Sequence, residues 1–176
     1  EASEIIHRIQ HNGTLPILTS CCPAWVKFIV HQFPDLLKIP STSKSPHIMF
    51  GTIAKTYYAE KNGLDPDNIV VVSIMPCIAK KAEAKRPELT KDTHNNVDIV
   101  ITTRELGAMI KEAGIHFQNL PDSEYDRPLG ESTGASVIFG TTGGVIEAAI
   151  RTAYEWMTGE ELENVEFEQL RGIDGR

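Results

Sequence analysis

The run "IVVVSIM", residues 69–75, narrows the fold more than any other segment. It is rich in β-branched residues and shows no polar alternation, so as a strand it has both faces buried. The turn-forming "LDPDN" leads into it and Pro76 follows it. A strand covered on both faces belongs to a sheet flanked by helices, which is the parallel α/β arrangement.

The rest of the chain fits that pattern, because strand-like and helix-like runs alternate. "LPILT" precedes "PAWVKFIVHQF". "PHIMFGTIAKTYYAEKNG" reads as a helix stopped by Gly63. "VDIVIT" leads into "TRELGAMIKEAG", where Thr102 and Glu105 have capping-box spacing and Gly114 supplies a stop. "ASVIF" reads as a strand before the helix "GTTGGVIEAAIRTAYEWM", and "NVEFEQL" as a closing strand. "AKRPELTKDTHNN" and "FQNLPDSEYDRPLGEST" read as loops. The fold class is therefore α/β, a largely parallel sheet flanked by helices. The chain opens inside a helical pattern, with Ile5, Ile6 and Ile9 on one face, and stops on "EQLRGIDGR". Both ends read as cuts in a longer polypeptide.

Parallel strands end along one edge, and ligands bind there. The pair Cys21–Cys22 follows "LPILT", Cys77 follows "IVVVSIM", and "GTTGG" follows "ASVIF". All three corners are expected on one side. Pro23 suits the first position of a helix, which makes Cys22 its N-cap residue. The helix dipole there favours a thiolate. Cys77 sits at a similar corner between Pro76 and the pair Lys80, Lys81. The alternative is that the thiols are buried apolar groups. Cys21 points in a different direction from Cys22. It is a candidate proton carrier, with an ordinary pKa of about 8.5, or half of a vicinal disulfide.

Three thiols match no zinc signature, and a 4Fe-4S cluster takes four. Glu1, Glu4 and Arg8 share a face of the first helix, either as solvated charges or as a proton relay toward Cys21. "FGTTGGVIEAA" allows close backbone approach to a ligand, or tight packing of the helix, and matches no nucleotide-binding loop. The net charge of -7 excludes a nucleic-acid grip. No apolar run spans a membrane. The odd number of cysteines points to a reducing, cytoplasmic setting.

"TSCCPAW" followed by "MPCIAKKAE" resembles the first two signature motifs of the iron-only (FeFe) hydrogenases. "STSKSPH", "KTYY", "GLDP", "DIVITTREL", "DSEYD", "GESTGAS" and "FGTTGGVIEAA" resemble family segments in the family order. The resemblance implies one lobe and part of the second of the two-lobed H-cluster domain. It implies residues 1–176 as the middle portion of that catalytic domain. The implied cofactor is the H-cluster, a 4Fe-4S cubane joined to a di-iron unit with CO, CN⁻ and azadithiolate. The implied reaction is 2H⁺ + 2e⁻ ⇌ H₂, with ferredoxin or NAD(P)-linked partner subunits exchanging electrons. Cys22 and Cys77 resemble two cubane ligands, and Cys21 the proton-passing thiol. Lys80 resembles the donor to an iron-bound cyanide. Met75, Ser45, Pro46, Phe139 and Gly140 resemble the lining of the di-iron pocket. Glu1, Glu4, Ser41 and Arg8 resemble the proton path.

The third family motif, with the other two cubane ligands, is not in these 176 residues. The fragment alone is not expected to be competent or to hold the complete cluster. His47 with Ile48 stands where many members carry glutamine. Two alternatives remain: a cytosolic iron-sulfur assembly factor of the hydrogenase-like group, and an H₂-sensing relative with little turnover.

Overall fold

The computed structural model describes residues 1–90, 95–131 and 133–166. Within "AKRPELTKDTHNN" residues 91–94, and within "GEST" Ser132, lie outside the described residues. The chain divides into two compact units. One comprises Glu1–Cys21, Trp25–Ser43 and Glu131–Arg176; the other comprises Cys22–Ala24 and Lys44–Gly130.

The second unit is built on the expected strands. β1 (Val72–Met75) pairs in parallel with β2 (Ile99–Thr102), with Val72 opposite Ile99 and Met75 opposite Thr102. β-Branched side chains fit this pleated surface. Helix α3 (Pro46–Ile53) continues through a π-helical stretch, Ala54–Tyr58, into α4 (Ala59–Lys61). Ile48, Val71, Ala84 and Val97 form the core, with Ile69, Leu89 and Val100 packed on it. Full burial of a side chain such as Ile48 or Val97 contributes about 1.5–3 kcal/mol. The backbone of α3 lies so close to the residues before β2 that a Cβ on Gly51 would stand 2.2 Å from the Asn96 carbonyl oxygen. Only glycine fits there. The Asp98 carboxylate joins both sides of this contact. It accepts Lys55 Nζ at 2.7 Å and the Val71 N–H at 2.7 Å.

α5 (Ala79–Glu83) follows β1, and α6 (Thr103–Glu112) follows β2. The capping box at Thr102 and Glu105 is formed in full. The helix stops at Gly63 and Gly114 carry φ of 63° and 69°, where glycine is unstrained. Val72 and Ile74 are about half exposed, so one face of β1 is open among the described residues.

In the first unit, α1 (Ala2–Gln10) packs on α8 (Gly144–Thr158) through Ile5, Ala149 and Ala153, with Ile6 and Ile146 around them. Ile9 is 49% exposed rather than sharing that face, and Arg8 is the buried residue of the last turn. α2 (Pro23–Gln32) begins on the proline after Cys22 and buries Ile29.

Two strand expectations fail, and a third lies largely outside the described residues. "LPILT" forms only a single parallel bridge, Leu18 to Pro40. Proline has no N–H to extend the ladder. "ASVIF" is helical: α7 (Ala135–Ile138) packs on α8. Short apolar runs carry too few residues for period to distinguish helix from strand. Residues 164–166 of "NVEFEQL" are not in a strand, and the remainder lies outside the described residues. The "GTTGG" corner serves tight packing between two helices. A Cβ on Gly144 would stand 1.7 Å from the Ile138 carbonyl oxygen.

Candidate functional site

Each unit holds a buried polar cluster that includes sequence-predicted residues. In the first unit the cluster grows from α1. Residues 4 and 8 lie one turn apart, so Glu4 and Arg8 meet, with Oε1 accepting from Nη2 at 2.6 Å. The Arg8 guanidinium also donates to the carbonyl oxygens of Thr14, Lys38, Ile39 and Pro40 at 2.9–3.2 Å. A planar fork of five N–H groups suits such a cluster of acceptors. Arg8 thus ties α1 to the segment that carries Ser41. The Ser41 hydroxyl donates to Glu4 Oε2 at 2.6 Å, and the Thr42 N–H donates to both carboxylate oxygens at 3.1 Å. Burial opposes the charge on Glu4. The bonds from Ser41, Thr42 and Arg8 together outweigh it and hold the carboxyl below its usual range.

Glu1 stands one turn before. Its Oε1 accepts the Ser20 N–H at 3.3 Å, and its Oε2 is buried with no hydrogen-bond partner among the described residues. Ser20 adjoins Cys21 in the chain, and its hydroxyl donates to the Ser43 carbonyl at 2.7 Å. The Cys21 thiol lies 3.9 Å from Thr19 Oγ1. Glu4, Ser41 and Arg8 are therefore one bonded set, and Glu1 is bonded to the strand-side neighbour of Cys21.

In the second unit, Ser45 is the N-cap of α3. Its Oγ accepts from the Ile48 N–H at 3.4 Å, and Pro46 opens the helix. This fixes His47 in the first turn, where it is buried. On the other side, Met75 ends β1, Pro76 breaks it, and Cys77 precedes α5. The Cys77 carbonyl accepts the Lys80 N–H at 3.3 Å. Lys80 and Glu83 lie on one face of α5 at i, i+3. One oxygen, Glu83 Oε2, accepts both Lys80 Nζ at 2.9 Å and His47 Nδ1 at 3.0 Å. Burial again works against the carboxylate, and the bonds from His47, Lys80 and Ser45 prevail, holding Glu83 below the usual range. Among the described residues, His47 Nε2 is buried with no hydrogen-bond partner.

Glu83 was not among the sequence-predicted site residues. Its signal was its spacing from Lys80 in "MPCIAKKAE". His47 stood out only as a departure from the family pattern. Phe139, at the end of α7, is 42% exposed, and Gly140 follows it on the surface of the first unit. Cys22, Cys77 and Cys21 are all thiols rather than disulfides. Among the described residues, no three His, Cys, Asp or Glu side chains form a ready metal-ion set. No helix of the described residues is long and apolar enough to cross a membrane.

Comparison with known proteins extends over the whole chain. It is 59% identical to the NADP-reducing hydrogenase subunit HndD of Solidesulfovibrio fructosivorans, over 99% of this chain and 31% of that protein. It is 50% identical to the periplasmic [Fe] hydrogenase large subunit of Nitratidesulfovibrio vulgaris, over 99% of this chain and 42% of that protein. Among solved structures, an apo form of the [FeFe]-hydrogenase HydA1 from Chlamydomonas reinhardtii superposes with a TM-score of 0.82 at 46% identity. It covers 99% of this chain and 44% of that one. Cytosolic iron-sulfur assembly component 3 of Bos taurus is more distant, at 32% identity over 91% of this chain and 35% of that protein. The chain thus spans under half the length of these relatives. The family model described as the iron only hydrogenase large subunit, C-terminal domain, matches residues 1–176, and the chain belongs to that family.

Proposed function

We propose that residues 1–176 are the middle portion of an iron-only hydrogenase catalytic domain, which in the full-length protein interconverts H₂ with protons and electrons. The observation that carries this reading is the bonded set Glu4–Ser41–Arg8, with Glu1 joined to the residue before Cys21. Cys21 and Lys80 separate this reading from an assembly factor, because only a di-iron site needs that thiol and that donor to cyanide, while the acid path toward Cys21 speaks against a sensing relative.

The residues divide by what their atoms can exchange. Carboxylates, hydroxyls and thiols accept and release protons, so Glu4, Ser41, Glu1 and Cys21 are the relay. Arg8 does not deprotonate and is the clamp that holds Glu4 in place. The bonds through Ser43 and Ser20 use backbone groups. They hold geometry and conduct nothing. The step between Ser41 and Glu1 therefore needs a water, and the partnerless Glu1 Oε2 is the atom that would bind it.

The donor set also fits part of the family's cofactor. Cys22 and Cys77 would be two of the four cubane thiolates. The buried Lys80 ammonium suits an anionic ligand such as cyanide. Met75, Ser45, Pro46, Phe139 and Gly140 would line the di-iron pocket. When bound, the group supplies the two-electron redox chemistry. NAD(P)-linked partner subunits or ferredoxin would exchange the electrons. The name of HndD favours the former for that relative. The odd number of cysteines favours a cytoplasmic setting, although one relative is named as periplasmic.

The test is Cys21→Ser in the full-length protein. H₂ evolution from a reduced viologen should fall by about 10²–10⁴-fold with the iron content unchanged. Full turnover in the variant removes the proton-carrier role. No H₂ turnover in the loaded wild type favours the assembly-factor or sensing alternatives.

A further inference from the structure

We propose that His47 is a positioning residue for Lys80, acting through Glu83. The contacts stand by themselves; what Lys80 then meets rests on the hydrogenase reading above. A carboxylate is an acceptor only, and Glu83 is held ionised, so the proton at the 3.0 Å contact lies on His47 Nδ1. The same oxygen, Oε2, holds Lys80 Nζ at 2.9 Å.

Lys80 and Glu83 both belong to the five-residue α5 and would swing together if bonded only to each other. His47 belongs to α3, whose first turn is fixed by the Ser45 cap and Pro46. Together with Ser45 of the same element, whose side chain also bonds Glu83, it anchors the pair to a second element. A lysine has about 2 kcal/mol of rotamer entropy to lose, so an external anchor matters to where its ammonium sits.

Nδ1–H is committed to Glu83, so the contact by which His47 acts on Lys80 runs through the shared Oε2. An asparagine amide carries its nitrogen on Cγ, as histidine carries Nδ1, so His47→Asn is the conservative variant.

The experiment labels the apo full-length protein with an amine-acetylating reagent and reads each lysine by mass spectrometry. His47→Phe should raise the Lys80 rate about tenfold, the factor given by losing about 1.5 kcal/mol, the lower end of the range for a charge-assisted hydrogen bond. His47→Asn should stay near wild type. Lys55, buried in the same unit against Asp98 at 2.7 Å, should not change. If His47→Phe does not fold, His47→Leu, which has no donor for Glu83, gives the same reading. An unchanged Lys80 rate, or a parallel rise at Lys55, overturns the proposal. In the loaded protein, Lys80→Met should shift the cyanide infrared bands, and adding His47→Phe should shift them no further. An additive shift means that His47 touches the group directly, and the proposal fails. A loaded wild type without cyanide bands counts against the hydrogenase reading, while the labelling ratio still decides the role of His47.

Discussion

Glu4→Gln tests whether the first-unit cluster is held by charge. Glu4 takes two bonds of 2.6 Å, from Arg8 and Ser41, and both side chains of the Arg8–Glu4 pair are largely buried. A charge-assisted bond contributes about 1.5–3 kcal/mol and a neutral one about 0.5–1.5. Neutralising the acceptor therefore costs about 1 kcal/mol at each bond, or about 2 kcal/mol in all. Arg8 keeps its four carbonyl partners, so the fold should survive. The assay is amide hydrogen exchange of α1 and the 38–43 segment in the full-length protein, which reads local opening. At pH 7 exchange should be about 30-fold faster in the variant.

The pH dependence has a definite sign. The folded carboxyl lies below the unfolded value of about 4.3, so its contribution is complete above that pH. It is lost as pH falls through the folded value. The gap between wild type and Glu4→Gln should therefore close on acidification below about pH 4.3. Equal exchange at pH 7, or a gap that persists at strongly acid pH, would refute the reasoning.

Two stability predictions follow from the second unit. Gly51→Ala drives a Cβ to within 2.2 Å of the Asn96 carbonyl oxygen and should destabilise the α3 contact by about 2 kcal/mol or more, measured as faster exchange at residues 95–98. Thr102→Ala removes the hydroxyl that accepts the Glu105 N–H at 3.1 Å and should cost α6 about 1 kcal/mol, again by exchange, while β1 exchange stays unchanged.

Much of the second unit was legible in the sequence. The capping box, the stops at Gly63 and Gly114 and the strand character of "IVVVSIM" and "VDIVIT" all rest on local rules: side-chain reach, φ and β-branching. The open face of β1 was not legible, because burial depends on what else packs there. "ASVIF" misled for a related reason. Its neighbours are Gly144 and α8, and only their contact selects the helix.

The site divides in the same way. The motifs named Cys21, Cys22, Cys77, Lys80, Glu1, Glu4, Ser41 and Arg8, because chemistry and spacing are written along the chain. Sequence by itself also determined the family. Tertiary structure decided the partners. Ser41 is 37 residues from Glu4, and Glu83 is 36 from His47. No periodicity connects positions so far apart. Only packing brings a helix start, a strand end and a connecting segment close enough for one carboxylate to answer several donors. Burial then gives those contacts their strength, since a charge removed from water stays ionised only where its hydrogen bonds are met.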